Sequence, residues 1–302
     1  MKLETQNKTF ASATVETIII GVQKHREQMK NWSAFGEFFG STLDEWIRSG
    51  EISSERKKIM KFPVTTANET IKRVLFVGLG EGKTLTEEDL RETFGLVGKE
   101  LKALKINNYG IWLESFVTPT IEETDVAFLA AEGIGLGFYT VPNYKTSSNE
   151  PDKYLDRVEF ITDANGEEIT ASFEVGNIYA QAVNEARSLV NLPPNMLTAT
   201  DLANYAVDLA NQYDFEVEIL NKAQLEELGM GGILSVNQGS SEEPRMITLK
   251  YQAKDNWEDV VGFVGKGVTY DTGGYSLKPR ESMVGMKGDM GGAAAVLGAM
   301  KI

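Results

Sequence analysis

The sequence predicts an α/β protein in two domains: a smaller one over residues 1–170 with a parallel-type sheet, and the first part of a second over 171–302 with a mixed central sheet. Three observations carry this. Runs rich in β-branched or aromatic residues recur at Thr17–Val22, Arg73–Val77 and Tyr109–Leu113. A capped, acid-first helix stands between the last two, so strand, helix and strand follow at the spacing of a βαβ unit. Beyond residue 176, apolar residues spaced by three and four give way to short alternating runs, as helices and strands do.

The elements follow in order. Thr86, ahead of Glu87, Glu88 and Asp89, caps a helix that runs to about Leu104. Asn143–Asp152, with Ser147, Ser148, Asn149 and Pro151, reads as a polar surface loop and the first site of limited proteolysis. Asp163-Ala164-Asn165-Gly166 reads as a tight turn at a hairpin tip. From Gly176 a helix carries Ile178, Ala182, Ala186 and Leu189 until Pro193-Pro194 stops it. Thr198 or Thr200 caps the next helix, which turns Leu202, Tyr205, Ala206 and Leu209 inward. Phe215, Val217 and Ile219 alternate as a strand. The turn Gly229-Met230-Gly231-Gly232 precedes strands at Ile233–Val236 and Met246–Tyr251. Val260–Val264 is apolar at nearly every position, as a strand covered on both faces is.

Composition narrows the function. Against 30 Lys and Arg stand 44 Asp and Glu, a net charge of −14 over 302 residues. So acidic a surface repels phosphate backbones, and nucleic acid is not an expected partner. Val15–Val22 is broken by Glu16 and is far too short to span a bilayer, and the chain opens without a leader pattern. A cytoplasmic location without a membrane partner is therefore expected. There is no cysteine, and the single histidine, His25, lies in a charged stretch that reads as solvated. Disulfides, iron–sulfur clusters and Cys/His zinc sites are excluded. Any metal chemistry must rest on carboxylates, carbonyls and lysine.

The densest constellation is Gly265-Lys266-Gly267-Val268-Thr269-Tyr270-Asp271-Thr272-Gly273-Gly274-Tyr275-Ser276-Leu277-Lys278, placed where an apolar run ends. Ligands of open α/β sheets bind outside the carboxyl ends of strands. Asp289 follows in Met286-Lys287-Gly288-Asp289-Met290-Gly291-Gly292, ahead of a small-residue helix from Ala293. Taken singly, these residues have plainer readings: a solvated loop lysine, a turn, and an acid that suits a helix dipole. Met283 and Met290 read as core packing.

Residues 265–274 and 283–292 resemble the signature of the leucyl aminopeptidase (cytosol aminopeptidase) family. Ala186–Asn195, Glu227–Gly232 and Gln238–Ser240 resemble it too, and Val77–Gly80 and Glu132–Gly137 fit its variable N-terminal domain. The resemblance implies a dinuclear metallopeptidase that releases N-terminal residues, leucine preferred, from peptide substrates. It implies two divalent ions per subunit, manganese or zinc, sharing an activated hydroxide. Lys266 and Asp289 are then ligands to one ion, Asp271 bridges both, and Lys278 stabilises the oxyanion and binds substrate. Met286 is implied to line the pocket for the first side chain. A homo-hexamer in the cytoplasm is implied as well.

In that family the remaining ligands and a catalytic arginine come from a later Asn-Thr-Asp-Ala-Glu-Gly-Arg segment, and this sequence stops at Ile302 before reaching it. The expectation is the N-terminal part of such an enzyme, inactive by itself, with Lys266 protonated and paired with Asp271 or Asp289. The alternative is a non-catalytic binding or scaffold protein on the same fold. Gly78-Leu79-Gly80-Glu81-Gly82-Lys83-Thr84 imitates a phosphate loop, but Val77 and Lys83 stand where the two nucleotide motifs need glycine, so nucleotide binding is not expected.

Overall fold

A computed structural model of the chain describes residues 4–25, 36, 40–64, 70–141, 144, 155–253 and 259–302. The chain divides into two compact units, Met1–Thr140 with Lys145–Gln181, and Val141–Tyr144 with Ala182–Ile302. Most of the 143–152 loop, and with it the expected cleavage site, lies outside the described residues.

The first unit is built on a six-stranded sheet in the order β1-β6-β5-β2-β4-β3. Its strands are β1 (Glu4–Lys8), β2 (Thr17–Gln23), β3 (Ile59–Pro63), β4 (Arg73–Gly80), β5 (Asn108–Trp112) and β6 (Arg157–Ile161). All neighbours run parallel except β3, which pairs antiparallel with β4 at the edge. A parallel sheet must be covered on both faces, and the continuous burial of Val74–Leu79 in β4 is the consequence. Helix α1 (Ser41–Arg48) sends Leu43 into one core with Ile18, Ile20 and Phe76. Helices α2 (Glu87–Ala103) and α3 (Glu123–Phe138) send Leu90, Phe94, Val97, Leu129 and Ile134 into the other. The Gly78–Thr84 stretch ends β4 and passes through a short 3-10 turn, Gly82–Thr84, into the cap of α2. His25 is exposed, its Nε2 3.9 Å from Glu81 Oε2.

Caps define the helix starts. Thr86 Oγ1 accepts the Asp89 amide and Asp89 Oδ2 accepts the Thr86 amide; Thr198 and Asp201 repeat the exchange ahead of helix α5 (Ala199–Tyr213). The Thr86 hydroxyl holds the Asp89 carboxyl below its ordinary value, and the Thr198 amide and hydroxyl do so for Asp201. A depressed folded-state pKa adds stability above the unfolded value of about 3.9 and loses it as acid titrates the folded carboxylate. Thr86→Ala is therefore expected to cost about 1 kcal/mol at pH 7. In thermal melts that difference should shrink in acid; a gap that widens on acidification would reject the assignment.

Three expectations need correcting. The Asp163–Gly166 turn is not a hairpin tip: it joins β6 to helix α4 (Gly166–Asn191), with Asn165 Oδ1 accepting the Glu167 amide. Asp-Ala-Asn-Gly serves a hairpin turn and a helix cap alike. Ile233–Val236 lies in helix α7 (Gly231–Asn237), because so short an apolar run carries no decisive period. Val260–Val264 forms no strand among the described residues.

In the second unit, α4 beyond Ala182, α5 and helix α9 (Gly291–Lys301) pack around Leu189, Leu202, Ala206, Leu209, Met290, Ala294 and Leu297. Between them come β7 (Glu216–Leu220), helix α6 (Lys222–Glu227), α7, β8 (Met246–Lys250) and the short helix α8 (Arg280–Met283). The sheet here is the antiparallel pair β7 and β8. Lys301, whose side chain is only 7% exposed, is ion-paired with Glu185 of α4, and the Tyr205 hydroxyl of α5 donates to the same carboxylate. No described helix is long and apolar enough to cross a membrane.

Val260, Val261, Phe263 and Val264 are 59, 74, 64 and 99% exposed. Their side chains suit a buried strand, but no described strand pairs with them. So many exposed apolar side chains in a row favour association. Residues 1–302 on their own are expected to self-associate on concentration. Phe263→Lys should reduce light scattering, and a monodisperse wild-type chain at high concentration would contradict this.

Candidate metal centre

The candidate residues stand on the loop from Gly265 to Lys278 and on the turns ahead of α9. After the apolar run, Gly265 brings the loop onto the first turn of α9, where Lys266 O accepts the Ala293 amide at 2.9 Å. A short 3-10 turn, Val284–Gly288, follows α8, and Asp289 stands directly after it, two residues before α9. Lys266 Nζ is ion-paired with Asp289 Oδ2. That is one of the two pairings expected of a protonated Lys266.

A second cation–anion pair lies further along the loop. Lys278 Nζ donates to Asp271 Oδ2 at 2.7 Å and to Met286 Sδ at 3.0 Å. The loop is closed by the Lys278 amide on Thr272 O at 2.9 Å, while Asp271 Oδ1 accepts the Gly273 amide at 2.8 Å. Gly273 holds φ at +85°, a conformation that L side chains rarely adopt. The Lys278 hydrogen bond, followed by the Gly273 amide, holds the Asp271 carboxyl below its ordinary range, and the charge of Lys266 pulls in the same direction. Asp271 and Lys266 therefore feel one another, although Lys266 is paired elsewhere.

The donor set suits a hard divalent ion. Asp289 Oδ2 is shut off from solvent, and the group it touches is the Lys266 ammonium. A buried carboxylate oxygen whose partner is a cation is one that a metal ion can take in that cation's place. Two carboxylates and a lysine amine match the oxygen and nitrogen preferences of manganese and zinc. Among the described residues no group of three or more His, Cys, Asp or Glu is placed to hold a metal ion. The residues present therefore fit part of a centre.

Two contacts went unforeseen in the sequence. Met286 reaches Lys278 through its sulfur. Lys287 Nζ donates to Asn191 O at 3.1 Å, tying the turn before Asp289 to the end of α4. The signal for the second was present, since Asn191 ends a helix and its carbonyl needs a donor. Met290 is fully buried, as its packing reading expects, while Met283 is half-exposed.

Residues 184–302 match the model of the cytosol aminopeptidase family, catalytic domain, and residues 19–148 match that of the same family's N-terminal domain. Among solved structures, the bottromycin maturation enzyme BotP in complex with Mn is similar, with 27% identity and a TM-score of 0.74. BotP without that description of a metal gives 28% identity and the same TM-score. In both comparisons the alignment covers 95% of this chain and 55% of the BotP chain, so this chain spans about half the length of the structures it matches. Two domain models of one family, laid in order along the sequence and joined by a fold shared with BotP, make this chain a member of the cytosol aminopeptidase family.

Proposed function

We propose that this chain contributes to a metal-dependent aminopeptidase that releases N-terminal residues, leucine preferred, from peptides in the cytoplasm. The observation that carries the reading is that two lysine–aspartate pairs, Lys266 with Asp289 and Lys278 with Asp271, both form on segments that match the family's catalytic domain. Lys266, Asp271 and Asp289 are the residues that would hold two divalent ions, manganese or zinc, with Asp271 as the ligand common to both. When bound, such ions polarise the scissile carbonyl and lower the pKa of water. Lys266 would serve as a neutral amine ligand, its ammonium proton passing to solvent, and Asp289 Oδ2 would then be free to ligate as well.

Lys278 keeps its proton. Held by Asp271 Oδ2 and Met286 Sδ, its ammonium is aimed before substrate arrives and stabilises negative charge developing on the carbonyl oxygen. Met286 lines the pocket for the first side chain of the peptide. The working assembly in this reading is the homo-hexamer that the family resemblance implies.

Leucine p-nitroanilide with added manganese is the test. Two carboxylates and one amine do not fill the coordination of two ions, so residues 1–302 alone are expected to bind the metal pair weakly and to show no turnover. The protein extended to the family's full catalytic length is expected to be active. Turnover by residues 1–302 alone would require a different ligand set. An extended protein that binds no metal and cleaves nothing would favour the scaffold alternative.

A further inference from the structure

We propose that Gly265 and Gly292 are positioning residues: their missing side chains let the backbone behind Lys266 dock on the first turn of α9, and this contact sets Lys266 against Asp289. A Cβ on Gly265 would stand 2.4 Å from Gly292 O, 2.6 Å from its carbonyl carbon and 2.7 Å from Ala293 Cα. A Cβ on Gly292 would stand 2.8 Å from Lys266 N and 3.3 Å from Lys266 O. Every one of these obstacles is backbone, which cannot swing aside as a flexible side chain does. The two glycines thus face each other across a contact that admits no side chain from either.

The contact has a polar partner. The first amides of a helix lack intrahelical acceptors, and the Ala293 amide finds one in Lys266 O. The residue offered as a ligand is therefore pinned through its own carbonyl to the helix that Asp289 precedes by two positions. Lys301 on Glu185 and Lys287 on Asn191 O hold the far end of α9 and the turn before it. Lys266 and Asp289 are then set against one another by one backbone contact onto a braced helix. The functional meaning of this placement rests on the metal-centre reading; the placement itself does not.

A zero-length carbodiimide cross-link separates the two. It joins an amine to a carboxylate only where they touch, so the wild-type chain should yield Lys266–Asp289 and Lys278–Asp271 links by mass spectrometry. Gly265→Ala is expected to lower the Lys266–Asp289 link about tenfold, because contact chemistry is lost with misplacement on the ångström scale. The Lys278–Asp271 link should stay unchanged even if the unfolding midpoint falls. A general structural role would lower both links together. Gly262→Ala is the control, since its Cβ would meet nothing within 4 Å. Should Gly265→Ala fail to fold, Gly292→Ala, with the milder clash, decides.

An undiminished Lys266–Asp289 link in a folded Gly265→Ala or Gly292→Ala chain overturns the proposal. Manganese titration of the extended wild-type protein supplies the other arm. A wild-type protein that binds no manganese while the cross-link pattern holds overturns the metal-centre reading and leaves the positioning intact.

Discussion

Lys278→Ala is expected to lower turnover of the extended protein about 10²–10³-fold, or about 3–4 kcal/mol of barrier, while leaving its metal content unchanged. The magnitude is that of removing a preorganised donor aimed where charge develops. Retention of metal follows from geometry. Lys278 Nζ bonds Asp271 Oδ2 but donates no lone pair of its own, so deleting it strips a hydrogen bond from a carboxylate and not a donor from an ion. Without the ammonium, the Asp271 carboxyl relaxes upward toward its ordinary value, which still leaves it ionised at neutral pH. Asp271→Asn makes the contrasting case. It keeps the shape but loses the charge by which, in the proposed reading, one carboxylate would serve two cations, and at least one ion should then be lost by metal analysis. The pair of variants separates barrier lowering from metal holding. Lys278→Ala protein that loses an ion, or Asp271→Asn protein that retains two tightly, would reverse the roles assigned here.

What was legible in the sequence follows from how local each signal is. Thr17–Val22, Arg73–Val77 and Tyr109–Leu113 were readable because a parallel strand is buried on both faces and must be apolar throughout, which no solvated segment imitates. The caps at Thr86 and Thr198 were readable because the donor and acceptor lie three residues apart. The short β3 strand, Ile59–Pro63, was not anticipated: it pairs with β4 at one edge only, and its sequence alternates weakly. Strand β1, which pairs parallel with β6 at the other edge of the sheet, was equally invisible, since such pairing depends on residues some 150 positions apart.

The candidate site divides in the same way. Spacing along the chain was enough to single out Lys266, Asp271, Lys278 and Asp289, and their pairing in space is a further fact that spacing did not contain. The two lysines could have exchanged partners without altering the motif. Tertiary contacts decide it: the Ala293 amide places Lys266 on α9, and the Thr272 carbonyl folds Lys278 back over Asp271. Val260–Val264 shows the converse. Its composition specifies burial, but burial of a strand needs neighbours, and no described strand supplies them.

Gly133→Ala is expected to destabilise the first unit by about 2–3 kcal/mol, whereas Gly95→Ala on the facing helix should be neutral or stabilising. Both glycines lie at the crossing of α2 and α3, and helix propensity favours alanine by about 0.5–1 kcal/mol at each. Sterics divide them. A Cβ on Gly133 would stand 2.5 Å from Arg91 O and 2.7 Å from Phe94 Cβ, so the helices must separate. Separation opens gaps around Phe94, Val97 and Ile134, all fully buried. A Cβ on Gly95 meets only Gly133 O, at the ordinary distance of 3.7 Å. Gly98 repeats the Gly133 case, its Cβ 2.4 Å from Ile134 O, so Gly98→Ala should fall with Gly133→Ala. A fall of about 2–4 °C in midpoint per kcal/mol is expected for a unit of this size, giving about 5–10 °C for Gly133→Ala. Calorimetry of the three variants tests the packing directly: similar midpoints for Gly95→Ala and Gly133→Ala would mean that the two helices do not approach as closely as their backbones are placed.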